Sequence, residues 1–220
     1  MGTTAFGCPL SEAQLAFVLQ SWVGRPTLIM RIVAGKYRSR QLKSLPGLDV
    51  RPTADRLRET LFNVLTAGNP SAMEGTVWVD LFAGTGAVGI EALSRGASMV
   101  HFVESSGRSA ELIRKNLASL EIGTGFQILK QDSIRALRAL ESSGMTADFV
   151  FLDPPYDAEG AYRQTLETLS KSELLKPESI VIAEHQKKFD PGESFESLVR
   201  YRKLEQGDAA LSFYQLASTR

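Results

Sequence analysis

The chain has few of the residues from which disulfides and metal sites are built. Among its 220 residues there is one cysteine, and there are two histidines. A single cysteine, Cys8, allows neither a disulfide framework nor a thiolate metal cluster within the chain. His101 and His185 are too few for the familiar histidine-rich zinc sites, so we expect no metal site.

The chain also lacks a net charge and a long apolar run. Its 25 basic residues are matched by 25 acidic ones, whereas a protein that neutralises phosphates usually carries a basic surplus. No apolar segment is long enough to span a bilayer, and no basic leader precedes one. We therefore expect a cytoplasmic protein without membrane contact. A hydrophobic share of 43% is sufficient for one good core.

Apolar and helical segments alternate along most of the chain. Apolar runs near residues 77, 100, 127, 149 and 180 are separated by helical patterns at 87–95, 107–120, 133–142 and 160–172. This alternation predicts an α/β fold, with a mostly parallel sheet covered by helices on both faces. Residues 201–216 alternate around Gln206-Gly207-Asp208, which predicts an antiparallel hairpin at the edge of the sheet.

The first of these apolar runs leads into a glycine-rich turn. Gly84, Gly86 and Gly89 match G-x-G-x-x-G, which lets a backbone approach a nucleotide-like ligand closely. Glu104, after the next apolar run, fits an acid that holds a ribose. The motif alone fits a nicotinamide dinucleotide as well as S-adenosylmethionine. Asp80 favours the latter, because a carboxylate suits a cofactor with an ammonium group better than a pyrophosphate.

Two further acids follow apolar runs, so four acids stand at successive strand ends. Asp132 follows the run at 126–129 and is placed to accept a hydrogen bond from an adenine amino group. It also fits a helix N-cap, and the two roles can coexist. Asp153 follows the run at 149–152. Because ligands of such sheets bind at the carboxyl ends of the strands, we expect these acids to share one edge.

The sequence Asp153-Pro154-Pro155-Tyr156 fits methyl transfer to a planar amine. Such a nitrogen is a poor nucleophile, since its lone pair is delocalised into the neighbouring π system. Asp153 and a backbone carbonyl near Pro154 can accept its two N–H bonds while Tyr156 stacks on the ring. The tetrapeptide alone fits a plain boundary between strand and loop equally well, so its interpretation depends on the glycine turn.

Four segments together resemble the RsmD family of bacterial small-subunit ribosomal RNA guanine-N2 methyltransferases. They are residues 31–38 (RIVAGKYR), 51–63 (RPTADRLRETLFN), 80–91 and 153–156, and the second is the most specific. The resemblance extends from Met30 to about Leu216. It implies a Rossmann-like class I methyltransferase that uses S-adenosyl-L-methionine, releases S-adenosyl-L-homocysteine and contacts RNA through a small N-terminal β-hairpin.

The resemblance also implies roles for individual residues. The catalytic residues would be Asp153, Pro154 and Tyr156. Those in contact with the cofactor would be Thr53 and Arg58 at its methionine part, Asp80, Phe82, Gly84 and Gly86 in the turn, Glu104 at the ribose, and Asp132 and Ser133 at the adenine. The segment at 51–63 fits an ordinary amphipathic helix as well, because Leu57 and Leu61 recur at helical spacing.

Basic residues are concentrated near the start of the matched region. No acid occurs between Arg25 and Lys43, and five residues there are candidates for RNA contact: Arg31, Lys36, Tyr37, Arg38 and Arg40. Charges that merely prevent edge pairing of a hairpin would give the same pattern. We expect an extension of unknown role at 1–29, disordered or a short helix, then a basic β-hairpin at 30–50 and a methyltransferase domain at 51–220.

Together with these observations, the resemblance implies a monomer that methylates the exocyclic N2 of a guanine in 16S rRNA, in the assembling small ribosomal subunit. An adenine-N6 methyltransferase acting on DNA or RNA would share the Asp-Pro-Pro-Tyr sequence, although a DNA enzyme usually needs a separate target-reading domain. A nicotinamide oxidoreductase would share only the glycine turn. A non-catalytic RNA-binding protein would share only the basic segment.

Overall fold

The computed structural model describes residues 30–44, 52–155 and 158–217, and of residues 52–54 only the backbone. Tyr156, the side chain of Thr53 and the extension at 1–29 therefore lie outside the described residues, and their predicted roles stay predictions.

The described residues form a two-stranded hairpin, an eight-stranded sheet and five helices. The strands are β1 (Met30–Arg31), β2 (Gln41–Leu42), β3 (Val77–Leu81), β4 (Met99–Val103), β5 (Phe126–Leu129), β6 (Ala147–Leu152), β7 (Leu175–Gln186), β8 (Ser194–Phe195), β9 (Leu198–Gln206) and β10 (Ala209–Leu216). The helices are α1 (Pro52–Leu65), α2 (Ala87–Ser94), α3 (Gly107–Ser119), α4 (Ser133–Ser142) and α5 (Glu159–Leu169).

The large sheet has the strand order β5-β4-β3-β6-β7-β10-β9-β8. Its first five strands pair in parallel, and the last three are antiparallel. The hairpin of β9 and β10 turns between Gln206 and Ala209, at the predicted position. The predicted Rossmann-like fold is therefore confirmed, with the parallel part of the sheet built by alternating strands and helices.

Each face of the sheet carries its own core. On one face, Trp78 stacks between Phe62 of α1 and Phe149 of β6, at ring-centroid distances of 5.3 and 4.9 Å. Helices α2 and α3 complete this face, which we call the α1–α3 face. Helices α4 and α5 cover the opposite face, where Tyr162 and Leu166 are fully buried. Burial of each large side chain stabilises the fold by roughly 2 kcal/mol.

The small β1–β2 hairpin is fastened to α2. The carboxylate of Glu91, which is fully buried, accepts hydrogen bonds from the backbone N–H groups of Val33 (2.8 Å) and Ala34 (2.9 Å). The hydroxyl of Ser94 accepts from the N–H of Tyr37 at 3.0 Å and donates to the carbonyl of Ala34 at 2.5 Å. These contacts make the hairpin an integral part of the domain.

Candidate active site

The glycine turn joins β3 to α2 at the carboxyl edge of the sheet. Its backbone takes unusual conformations, with φ of 61° at Phe82, 54° at Gly84 and 77° at Gly86. A Cβ on Gly86 would lie 3.2 Å from Ile113 and 3.3 Å from Phe102, so the turn lies close against its neighbours. Because the turn packs this closely against Ile113 and Phe102, its opposite side is left open to a ligand. Phe82 itself is half-buried.

Asp80 lies beneath the turn and is only 2% exposed. Its carboxylate accepts a hydrogen bond from the N–H of Gly89 at 2.9 Å. The pKa of Asp80 is raised to about 7, chiefly by burial; the N–H of Gly89 lowers it, and the charges of Asp153 and Glu104 add smaller increases. The side chain therefore anchors the start of α2 while holding an ionisable group inside the protein.

The two other predicted cofactor acids also hold backbone groups. Glu104 accepts hydrogen bonds from the N–H of Gly84 at 2.9 Å and of Ser106 at 2.7 Å, which ties β4 to the turn. Asp132 caps α4 by accepting from the N–H of Arg135 at 3.0 Å. The predicted N-cap is therefore present. The neighbouring Ser133, the first residue of α4, is buried.

Asp153 follows β6 and is half-buried, and Pro154 beside it is buried. Burial raises the pKa of Asp153 to about 7. Its place differs from that of Asp80, Glu104 and Asp132, because within the described parts of the chain no group donates a hydrogen bond to its carboxylate. A carboxylate that is partly withdrawn from water and has no donor can accept one from a substrate.

Glu184 on β7 is a residue of this edge that the sequence interpretation missed. Leu152 pairs with Ala183 in the register of β6 and β7, so Asp153 and Glu184 are the next residues on adjacent parallel strands. Burial raises the pKa of Glu184 well above its ordinary value, with further contributions from the charges of Asp153 and Asp80. The signal was available, because Glu184 follows an apolar run just as the four predicted acids do.

Arg58 supplies the positive charge that faces these acids from α1. It is 5% exposed, and its guanidinium donates to the carbonyl of Arg31 at 2.5 Å and to Asp55 at 2.9 Å. Its Nε lies 3.7 Å from the carboxylate of Glu91 and, among the described residues, makes no hydrogen bond. The positive charge of Arg58 offsets part of the increase in the pKa of Glu184. A buried donor with no acceptor among the described residues is available to a ligand on this side of the turn.

The candidate RNA-contact residues lie at the other end of α2. This helix runs for eight residues from the glycine turn, which is about 12 Å. At its far end the N–H of Lys36 donates to the carbonyl of Ser94 at 2.7 Å, and Arg40 donates to the carbonyl of Ser119, the last residue of α3, at 2.8 Å. Lys36, Arg38 and Arg40 are exposed there. Arg31 is exposed too, but it lies nearer to the glycine turn.

Tyr37 is less available than expected for stacking on a base. It is half-buried against the α1–α3 core, and the ammonium of Lys36 lies 5.2 Å from its ring centroid. The hairpin nevertheless reaches the glycine turn through Asn116, whose amide pairs with the backbone of Lys43 and donates to the carbonyl of Thr85 at 2.9 Å. We call the exposed cations Lys36 and Arg38 the basic tip, and the acids at the carboxyl ends of the parallel strands the acidic edge. The two regions are separate in space, but Asn116 connects the hairpin with the glycine turn.

A cavity of about 170 Å³ opens near the end of β7, on the side of α5. It is lined by Glu159, Tyr162, Gln186, Lys188 and Phe189. The hydroxyl of Tyr162 donates to the backbone carbonyl of Glu184 at 2.7 Å, so this cavity adjoins the strand end that carries the acids.

No three His, Cys, Asp or Glu side chains in the described ranges are arranged to hold a metal ion. Among the helices that the structure describes, none has the length and apolarity needed to cross a bilayer.

Comparisons with known proteins give a consistent result. The family model Conserved hypothetical protein 95 matches residues 30–215. Ribosomal RNA small subunit methyltransferase D of Haemophilus influenzae is 36% identical over 159 residues, which cover 72% of this chain and 79% of that protein. The solved structure of yhhF from Escherichia coli, provisionally titled a methyltransferase, is 31% identical with a TM-score of 0.71, and the match covers 87% of this chain and 99% of that one.

A more distant structure shares the fold. The Thermus thermophilus 16S rRNA N2 methyltransferase RsmC, solved in complex with AdoMet and guanosine, is 19% identical with a TM-score of 0.64. The match covers 86% of this chain and 50% of that one. The family match over residues 30–215 and the 36% identity to the Haemophilus influenzae protein show that the chain belongs to the Conserved hypothetical protein 95 family, the RsmD family that its sequence motifs indicate.

Proposed function

We propose that this protein transfers a methyl group from S-adenosyl-L-methionine to the exocyclic N2 of a guanine in 16S rRNA. The observation that carries this proposal is the carboxylate of Asp153, half-buried next to the strand that ends in the glycine turn and without a donor among the described residues. The names of the relatives support an rRNA substrate, and the guanosine in the RsmC structure supports the base.

The residues around the glycine turn fit S-adenosyl-L-methionine. The buried Nε of Arg58 offers a donor for a carboxylate, and the turn with positive φ at Gly84 and Gly86 offers a cradle. Glu104 would accept from the ribose hydroxyls, since each carboxylate oxygen has two lone pairs and only one is used by Gly84 or Ser106. Asp132 and Ser133 would hold the adenine. When bound, the cofactor supplies an electrophilic methyl group and leaves as S-adenosyl-L-homocysteine.

Asp153 would hold the target amine and orient its lone pair. Its carboxylate accepts one N–H bond and a carbonyl in the Pro154 turn accepts the other, while Tyr156 stacks on the base. Holding the nitrogen in line with the methyl group replaces a bimolecular encounter with an oriented one. With a pKa of about 7, the Asp153 carboxyl is about half ionised in neutral solution, and its ionised form is the stronger acceptor for the amine.

The RNA would extend along α2, because the basic tip at Lys36 and Arg38 and the acidic edge at Asp153 lie at opposite ends of this helix. The target guanine would leave its stack to reach Asp153, as bases do in other enzymes that modify them. The substrate we propose is the assembling small ribosomal subunit, and the enzyme acts on it as a monomer.

Transfer of labelled methyl groups tests this proposal. The protein is mixed with labelled S-adenosyl-L-methionine and with 16S rRNA from cells that lack the enzyme, free or assembled into small subunits, and the product nucleosides are separated. N2-methylguanosine is the expected product. Label in N6-methyladenosine would instead favour the adenine-specific alternative. RNA binding without uptake of the cofactor would contradict catalysis and favour a non-catalytic RNA-binding protein.

A further inference from the structure

The acidic side chains behind the glycine turn fall into two groups. The carboxylates of Asp80, Glu91 and Glu104 each accept at least one hydrogen bond from a backbone N–H group. Within the ranges that the structure describes, those of Asp153 and Glu184 accept none. The first group holds the fold together, which leaves two neighbouring carboxyl groups without a structural partner.

These two carboxyl groups lie side by side. Asp153 and Glu184 follow Leu152 and Ala183, which are paired across β6 and β7, and neighbouring strands lie about 4.8 Å apart. Side chains alternate between the faces of a strand, so both acids point to the α1–α3 face, as Phe151 does. Both are half-buried and so within reach of a ligand at this edge.

Three neighbouring elements determine the charge around this pair. On the same face, Asp80 of β3 adds a third carboxyl group, and Arg58 of α1 adds a cation. On the far side of β7, the residue of β10 that pairs with Glu184 is Leu211, which has no charge. Two carboxyl groups this close and partly withdrawn from water, with one cation acting on Glu184, cannot readily both be ionised.

We propose that Glu184 is a positioning residue for the transfer: its carboxyl group shares one proton with Asp153, and the pair takes up the proton that the methylated nitrogen loses. This inference rests on the proposed function. The directions of the two pKa shifts agree with it, because the pKa of Asp153 is about 7, while burial and, after it, the negative charge of Asp153 keep Glu184 protonated to higher pH. At neutral pH the pair therefore holds one proton and can accept another.

The step balances in atoms and electrons. The C–S bond breaks and its electron pair stays on sulfur, while the nitrogen lone pair forms the new N–C bond. One N–H bond then breaks, its electron pair remains on nitrogen as the new lone pair, and its proton forms an O–H bond on Asp153. The pair now holds two protons and releases one to water. A base whose pKa lies near the working pH is suited to this task.

The first test is the pH profile of methyl transfer by Glu184→Gln. The wild-type kcat should rise through about pH 7, as Asp153 ionises, and fall again at higher pH, where Glu184 loses the shared proton. Because an amide carries no titrating proton, Glu184→Gln should lose the alkaline limb, keep the acidic limb, and turn over about tenfold more slowly at neutral pH. Glu178→Gln, an exposed change on the same strand, should retain the wild-type profile.

The second test needs no activity. In protein labelled with 13C at carboxyl groups, the Glu184 signal should titrate well above the ordinary range of glutamate, and Asp153→Asn should move its midpoint to lower pH. An ordinary midpoint that Asp153→Asn leaves in place, or an unchanged bell-shaped profile in Glu184→Gln, would overturn the role of Glu184 while leaving the methyltransferase proposal intact. Absence of transfer by the wild type would overturn both.

Discussion

The proposed reaction depends on a single carboxylate, that of Asp153, at the end of β6. Asp153→Ala should lower kcat for methyl transfer by roughly 10²–10⁴-fold, because the amine then loses its acceptor and its orientation. Binding of S-adenosyl-L-homocysteine should be almost unchanged, since the groups proposed to hold it lie on the glycine turn, after β4, at the start of α4 and on α1. Transfer assays and calorimetric titration measure the two effects.

Asp208→Ala serves as the control for this change. It removes an exposed carboxylate from the turn between β9 and β10, which β7 separates from β6 in the sheet order, and should leave both quantities unchanged. If Asp153→Ala retained near wild-type turnover, the proposed role of Asp153 would be wrong. If it lost cofactor binding and turnover in equal measure, Asp153 would instead belong to the cofactor site.

For single residues, the sequence predicts where the acids lie better than it predicts which groups they bond to. That Asp80, Glu104 and Asp153 share one edge follows from a general property of parallel sheets, in which ligands bind at the carboxyl ends of the strands. The same rule applies to Glu184, which directly follows the apolar run at 180–183. The buried carboxylate of Glu91 could not be assigned, because its partners Val33 and Ala34 lie 58 and 57 residues away in the chain.

At the scale of elements, the β1–β2 hairpin depends on a close approach at Gly35. This residue has φ of 80°, and a Cβ there would lie 1.9 Å from the carbonyl oxygen of Ser94. Gly35→Ala should therefore push the hairpin away from α2 and break the hydrogen bonds that Ser94 and Glu91 make with it. We expect faster hydrogen exchange at the amides of Val33, Ala34 and Tyr37 and a clear loss of stability.

Gly68 provides a matched control for the strain at Gly35. Its φ of 81° is nearly the same, but a Cβ there would meet nothing within 4 Å. Gly68→Ala should cost only the strain of the left-handed backbone, about 1 kcal/mol. Equal losses of unfolding free energy in the two variants would mean that the contact between Gly35 and Ser94 does not fix the hairpin.

The basic tip of the hairpin is expected to set the salt dependence of RNA binding. Replacing Lys36 and Arg38 together by alanine should weaken binding to 16S rRNA. The loss should not depend on the base sequence of the RNA, because phosphate contacts do not read it. It should also flatten the plot of log K against log salt, by about 0.7 for each single-strand phosphate that the protein no longer neutralises. Lys171→Ala, which removes an exposed cation paired with Glu196, should change neither. An unchanged affinity and slope in the double variant would contradict the proposed RNA contact.

The position of this tip could not be predicted from the sequence. A run of cations without acids indicates a partner of negative charge, but it does not reveal which end of α2 it occupies. That position depends on contacts between segments far apart in the chain, such as the one from Arg40 to Ser119, 79 residues away. The fold class was predictable because its alternation of strands and helices is local, whereas the direction of the hairpin is not.

Over the whole molecule, a formal net charge of zero conceals two charged regions at opposite ends of α2. The exposed cations of the hairpin can attract RNA, while the acidic edge would hold a cofactor that carries positive charge. The acidic edge has a thermodynamic consequence, because several of its carboxyl groups are withdrawn from water. Their ionisation should make folding stability depend on pH in the neutral range.

The sign of this dependence follows from Asp80. Its pKa is raised from 3.8 to about 7 by burial, so its contribution to stability is complete below about pH 4 and is lost as the pH rises through 7. This rise corresponds to an upper limit of about 4 kcal/mol between pH 4 and pH 8. His101 and His185 act in the opposite direction, because burial lowers the pKa of each and their contribution grows as the pH rises towards 6.5.

Comparison with Asp80→Asn isolates the carboxyl group, since the histidines are common to both proteins. The asparagine oxygen can still accept the N–H of Gly89, and its amide would face the carboxylates of Asp153 and Glu104. Urea unfolding at pH 6 and pH 8 should therefore show a wild-type protein that loses more unfolding free energy between these values than Asp80→Asn does. Asp208→Asn, which changes an exposed acid, should follow the wild type. Parallel losses in wild type and Asp80→Asn would mean that Asp80 is already ionised at pH 6, and that burial beneath the glycine turn does not keep it protonated.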